Sequence, residues 1–190
     1  LIFTSGINIY ILLAIFIAGA SLLTYLIIYV PRFDYIQGRI FSFFNRETGT
    51  HNFQSDKAIE SITSGGFFGK GIGEGVLKNR VPEAHTDYII SVISEEFGVV
   101  AIMLILLLFL ILIYMVFKKI SFETNDKVKL ILIGSISLIL MQATIHVGVN
   151  IRLFPTTGMT LPFLSYGGSS IISTSILGGI ILNLTKRKIT

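Results

Sequence analysis

FGVVAIMLILLLFLILIYMVF, residues Phe97–Phe117, runs for about 21 positions without a charged side chain. About 20 apolar residues cross the ~30 Å hydrocarbon core of a bilayer as an α-helix, since helical backbone groups satisfy one another where no water can. This stretch decides the fold class. Reading outward from it, Lys118, Lys119, Lys127 and Lys129 bracket a short turn, and Val128–Asn150 is a further apolar run. RLFPTTGMTLPFLS, residues 152–165, is a short Pro/Gly turn, followed by Tyr166–Leu184 and then Lys186, Arg187 and Lys188. In the other direction, Asn8–Val30 is an uncharged run closed by Pro31, with Tyr25 and Tyr29 placed for an aromatic belt. The chain reads as an all-α integral membrane protein, a polytopic helical bundle. Its spans lie at about 8–30, 87–117, 128–150 and 166–184 of a single membrane domain covering 1–190.

Composition agrees. The chain has 190 residues, 52% of them hydrophobic and 14% charged, and a mean hydropathy of +0.79. A soluble domain of this size needs far more polar surface. The net charge of +4 does not indicate a nucleic-acid partner. The basic residues sit in short groups beside apolar runs, where the positive-inside bias explains them. With no cysteine, disulfides and thiolate metal sites are excluded. The chain begins at Leu1, without a methionine or a basic segment before its first apolar run, and so reads as a piece of a longer polytopic protein rather than one with a signal peptide.

The charges set an expected orientation. The 118–129 turn and the C-terminal tail hold seven of the 15 basic residues, whereas the turn between the last two spans has only Arg152. The lysine turn and tail are therefore expected in the cytoplasm, and the long 31–86 loop outside. In that loop Ile36, Ile40, Phe43 and Phe44 recur at helical spacing, as an interfacial helix would. A second short helix is expected near Gln54–Thr63. The helix of the second span is expected to start near Pro82 or Thr86, where proline suits a first turn and threonine a cap.

Chemistry concentrates in Ser64–Asp87, SGGFFGKGIGEGVLKNRVPEAHTD. Lys70, Lys78 and Arg80, with Arg46 more remote, are candidate donors for an anionic headgroup; for any single one of them a solvated loop charge is the better reading. The glycines allow sharp turns and close backbone approach. Lys70 is followed by Gly71 rather than Ser or Thr, so this is not a nucleotide-binding phosphate loop. Asp87 lies at the outer end of a spanning helix, where a carboxylate serves either as a proton acceptor or as a stabiliser of the helix N-terminus. Glu83, His85 and Asp87 alternate, but a metal held by protein alone is not expected of them. A divalent cation shared with a substrate phosphate is the better reading.

Further along, a helix would place Asp87, Ser91, Ser94/Glu95 and Gly98 on one face lining an internal cavity, with at least one of Glu95 and Glu96 facing protein. Gln142, His146 and Asn150 recur every four residues on one face, either bonding between helices or lining that cavity. Ser165 and Ser169 have no identifiable His–acid pair, so no nucleophilic triad is expected. Ser169, Ser170, Ser173, Gly178 and Gly179 read as close helix packing, and His51 carries no signal.

The run QSDKAIESITSGGFFGKGIGEGVLKNRVPEAHTDYIISVISEEFG, followed by PTTGMTLPFLSYGGSS, resembles the SEDS (shape, elongation, division and sporulation) glycosyltransferases of FtsW and RodA type, over essentially the whole chain. GMTLPF is closer to the division-type FtsW branch, although Thr157 stands where that branch often has Lys. The resemblance implies a ten-span protein, of which these are the last four spans, in the bacterial inner (plasma) membrane. It implies polymerisation of lipid II into glycan strands with release of undecaprenyl pyrophosphate. Asp87 would be the essential carboxylate, within the motif Pro82–Thr86. It also implies a class B penicillin-binding protein transpeptidase as partner, other division or elongation proteins, and help from a divalent cation (Mg or Mn), with no organic cofactor. Substrate contacts are then expected at Lys70, Lys78, Arg80, Glu83, His85, Glu95, Gln142, His146, Ser165 and Ser169. Two other functions fit the same polar stripe and cationic loop: a lipid-linked-oligosaccharide flippase, and a non-catalytic scaffold for a transpeptidase.

Overall fold

The computed structural model describes residues 8–44, 50–81 and 83–186, with the backbone alone at 50–52 and 78. Arg46, Pro82, Arg187, Lys188 and the side chains of His51 and Lys78 lie outside the described residues. Seven helices are described, α1 (Ile9–Tyr29), α2 (Asp34–Phe44), α3 (Thr50–Gly65), α4 (Leu77–Arg80), α5 (Ile89–Phe122), α6 (Asp126–Asn150) and α7 (Gly168–Thr185). Four of them, α1, α5, α6 and α7, are long and apolar enough to cross a membrane, and no strand occurs among the described residues. This is a multi-pass helical membrane protein.

The chain divides into two compact units, residues 1–52 and 53–190. In the first, Asn8 caps α1 by accepting the Tyr10 amide. Pro31 cannot continue α1 and instead opens a 3-10 turn, Pro31–Phe33, that leads into α2. No residue of α1 is buried, and Tyr25 and Tyr29 stack near its end with ring centroids 4.9 Å apart.

In the second unit α6 packs on both α5 and α7. Toward the lysine-rich turn the core is Val116, Leu132, Ile136, Ile139 and Ile181. At the opposite end Ala58, Leu77, Val81, Ala84, Tyr88, Val92 and Val149 gather α3, α4 and the starts and ends of the longer helices into one nucleus. An Arg152–Asp56 ion pair joins the turn after α6 to α3. Within this unit, residues 53–86 are therefore built on the membrane helices rather than suspended from them.

α5 departs from the sequence expectation at both its start and its middle. It begins at Ile89 after Tyr88, without a side-chain cap, because residues 83–88 form turns around a left-handed Glu83 (φ 63°). Asp87 is thus in the turn, off the helix. Gly98 then breaks the helix with φ 79° and ψ −179°. Four backbone groups flanking the break are taken up by the glycine loop. Lys70 N–H donates to the Glu95 carbonyl (2.8 Å) and Gly71 N–H to Glu96 (3.1 Å). In return Val99 N–H donates to Gly66 (3.0 Å) and Val100 N–H to Phe67 (3.4 Å). Such a break is tolerable near a membrane only when protein re-satisfies the backbone. The approach is so close that a Cβ on Gly98 would lie 2.2 Å from the Phe67 carbonyl oxygen, and one on Gly65 2.0 Å from that of Ser94.

Candidate functional site

The PEAHTD motif is held by its backbone. Thr86 and Asp87 N–H both donate to the Glu83 carbonyl at 3.0 Å. Thr86 Oγ1 adds bonds to the Glu83 carbonyl (2.9 Å) and carboxylate (2.8 Å). The three carbonyls of His85, Thr86 and Asp87 then each meet a different donor. Tyr166 N–H reaches His85 (3.1 Å), Ser165 Oγ reaches Thr86 (2.8 Å), and Asn150 Nδ2 reaches Asp87 (3.0 Å). With three successive peptide groups fixed, the half-buried Asp87 side chain projects from a rigid base. Gly158, at φ 71°, passes in front of it, and a Cβ there would sit 3.7 Å from Asp87 Oδ2. His85 and Glu83 are exposed.

Asn150, wholly buried, joins this turn to two helices. Its Oδ1 accepts from Ser91 N–H (3.2 Å) and Ser91 Oγ (2.7 Å), and its Nδ2 also donates to the His146 carbonyl (2.9 Å). The polar stripe of α6 continues this work along the 158–167 segment. His146 Nδ1 lies 2.7 Å from the Met159 carbonyl, which places the ring proton on Nδ1. Gln142 Nε2 reaches Thr160 O (2.9 Å), Thr160 Oγ1 (3.1 Å) and Ser170 Oγ (3.0 Å). Ser165 Oγ additionally accepts the Leu161 amide (2.8 Å). Gln142, His146 and Ser165 are therefore brought together as the frame behind Asp87, while Ser169 is exposed at the start of α7.

A second group lies in a polar cleft of about 190 Å³ lined by Lys57, Glu60, Lys70, Arg80 and Glu95. Glu95, 2% exposed, accepts from Lys70 Nζ (2.9 Å) and from the amides of Val76 and Leu77 (3.0 Å each). Its carboxylate joins the glycine loop and the start of α4 to α5. Glu95 is the glutamate that faces protein. Of the face Ser91–Ser94–Glu95–Gly98, expected to line an internal cavity, Glu95 lines this cleft, whereas Ser91, Ser94 and Gly98 are buried against protein. Tertiary packing fills it with Asn150, α4 and the glycine loop. Arg80 is exposed on the cleft wall. Among the described residues no three His, Asp or Glu side chains converge as a metal site. Outside the spans, the Lys119 ammonium, which donates to Glu123, holds that carboxyl below its usual range.

An apolar groove of about 440 Å³ runs between α5 and α6 beneath the motif, from Ile90 and Leu161 past Ala143, Val147 and Phe109 to Ile113. Gly158, Thr160 and Ser170 carry part of the frame without any local signature of that role, whereas the four-residue spacing of Gln142, His146 and Asn150 marks those three in the sequence.

These features define a polytopic helical membrane protein with a rigidly mounted carboxylate at the end of a spanning helix, over an apolar groove. A family model described as a cell cycle protein of the FtsW, RodA and SpoVE type matches residues 1–189; the chain belongs to that family. It is similar to a probable peptidoglycan glycosyltransferase FtsW of Enterococcus hirae, 39% identical over 138 residues, covering 72% of this chain and 35% of the relative. The FtsW of Caulobacter vibrioides named in the same way is 38% identical over 158 residues (82% and 40%). That of Geobacter metallireducens is 36% identical over 177 residues (90% and 47%). A solved chain described under "Structural coordination of polymerization and crosslinking by a peptidoglycan synthase complex" superposes with a TM-score of 0.70 at 25% identity, covering 93% of this chain and 48% of that one. The chain thus spans less than half the length of these relatives.

Proposed function

We propose that the chain is the C-terminal part of a peptidoglycan glycosyltransferase that polymerises lipid II into glycan strands in the bacterial plasma membrane, with Asp87 as general base. The observation that carries this reading is the clamping of the three carbonyls at His85, Thr86 and Asp87, which presents one carboxylate on a preorganised base. In the reaction a sugar hydroxyl attacks the anomeric carbon of a lipid-linked sugar and Asp87 takes its proton. The bond from that carbon to the pyrophosphate oxygen breaks, and undecaprenyl pyrophosphate leaves with the electron pair. Attack opposite the leaving group inverts the anomeric centre.

Arg80 and Lys78 are the cations proposed for the pyrophosphate, while Lys70, tied to Glu95, supports the loop that carries them. A divalent cation would be shared between the Asp87 carboxylate and substrate phosphate oxygens, since the described residues offer no closed cage, and would neutralise leaving-group charge. The apolar groove suits the polyprenyl tail, which favours a lipid-linked donor over a soluble one. The names of the three relatives favour division over elongation. The solved synthase complex supports a transpeptidase partner of the class B penicillin-binding type. Loop 31–86 is proposed outside and the C-terminus in the cytoplasm, from the lysine asymmetry.

The test is full-length protein with its transpeptidase, given labelled lipid II. Asp87→Asn is expected to abolish glycan polymer while thermal stability stays at the parent value. Undiminished polymer would overturn the assignment and leave a flippase or scaffold.

A further inference from the structure

The glycine loop exposes three large apolar side chains, Phe67 at 74%, Phe68 at 86% and Ile72 at 79%. This loop is rigid rather than a loose excursion. Gly66 and Gly69 hold it with φ 58° and 78°, and its carbonyls and amides are spliced into the break of α5.

The position of that break along α5 decides what the three side chains meet. Beyond the break α5 continues to Phe122, and at 1.5 Å per residue that part alone is about 36 Å long, enough to cross the ~30 Å hydrocarbon core. The uncharged stretch Phe97–Phe117 alone matches the core, with Glu95 and Glu96 before it and Lys118 and Lys119 after it. Gly98 therefore falls at the boundary between hydrocarbon and headgroups, and residues 89–97 stand above it. Val99 and Val100, bonded to the carbonyls of Gly66 and Phe67, put the loop at the same depth. Its apolar tip continues the exposed apolar surface formed by Phe97, Val100, Met103, Leu104 and Leu107. On the inner side of the loop Lys70 turns its ammonium to Glu95, keeping the charge off the lipid-facing tip.

We propose that residues 66–72 form a membrane-surface anchor, with Phe67, Phe68 and Ile72 seated in lipid at the boundary between headgroups and acyl chains of the adjacent leaflet. Large apolar and aromatic groups are favoured at that depth, and the binding strength scales with the apolar area buried there. Because the loop is bonded to the α5 break, the anchor fixes one end of the helical segment 89–97, roughly 14 Å long, whose other end carries the Asp87 turn. The proposal stands apart from the polymerase reading and needs no substrate.

The experiment attaches a nitroxide to Phe68→Cys in full-length, otherwise cysteine-free protein in phosphatidylethanolamine/phosphatidylglycerol nanodiscs. Collision rates with oxygen and with a water-soluble nickel chelate are calibrated against doxyl-labelled lipids in the same discs. The expected result is severalfold more oxygen than nickel accessibility, at the depth of the upper acyl chains, with an Asn79→Cys label nickel-accessible. Ile72→Cys reads the same surface and serves if Phe68→Cys does not fold. A nickel-accessible loop label would show that the tip stands in water, and a label shielded from both reagents that protein covers it; either result overturns the anchor.

Discussion

The side-chain amide of Asn150 donates to the main-chain carbonyl of Asp87 at 3.0 Å, so the last residue of α6 holds the residue proposed for the chemistry. The same amide nitrogen serves the His146 carbonyl, and its oxygen takes two bonds from Ser91. Asn150→Leu leaves these buried groups unpaired. A loss of about 1–3 kcal/mol in stability is expected, together with a fall in polymer yield. Thermal unfolding in nanodiscs measures the first and lipid II polymerisation the second; unchanged values for both would show that Asn150 does not position Asp87.

Gly158→Ala tests the space before the carboxylate. A methyl group there sits 3.7 Å from Asp87 Oδ2 on a backbone at φ 71°, a conformation that costs an L-residue about 1–2 kcal/mol. The expected result is a folded, slightly destabilised protein whose polymerisation rate drops more than its stability accounts for. A rate that tracks stability alone would separate Gly158 from the site.

Gly98→Ala is expected to be far worse. Its Cβ would meet the Phe67 carbonyl oxygen at 2.2 Å and the Gly69 nitrogen at 2.5 Å, so the loop must undock and strand four backbone groups. Failure to accumulate folded protein is the expected outcome, read by size-exclusion profile. Gly75→Ala is expected to be milder, since the nearest atoms to its Cβ are side-chain atoms, Glu96 Cγ at 3.0 Å and Glu95 Oε2 at 3.2 Å, rather than backbone. A well-folded Gly98→Ala protein would refute the splice between loop and helix.

Glu95 and Lys70 should be energetically coupled. Removing one partner of a buried pair strands the other, but the Lys70 side chain is 37% exposed, which limits the cost. Glu95→Gln is expected to destabilise by roughly 1–3 kcal/mol, and a double-mutant cycle with Lys70→Met to return a coupling of at least about 0.5 kcal/mol. Additive single changes would assign Glu95's role to its two backbone donors alone.

Much of this was legible before any coordinates. Pro31 ends one run and opens a 3-10 turn, Ile36 to Phe44 lie on a helix, and the four spans fall where hydropathy places them. PEAHTD drew attention to Asp87, but as the outer end of the spanning helix, whereas it lies in the turn that precedes that helix. The face of α5 was misread because a single glycine in an apolar run gives no local sign of a break; the loop that fills the break lies some 30 residues earlier in the chain. Lys70 read as a candidate headgroup donor or solvated loop charge and Glu95 as part of a cavity-lining face, and only their meeting makes them one structural pair.

By itself the sequence determined the number of spans and the membrane class, since hydrophobic length is a property of each segment alone. The tertiary structure alone decided what fills the break at Gly98, where Glu95 points, and which donors hold Asp87. Those outcomes depend on contacts between distant residues, 63 positions apart for Asn150 and Asp87 and 79 for Ser165 and Thr86, and no local pattern carries that pairing.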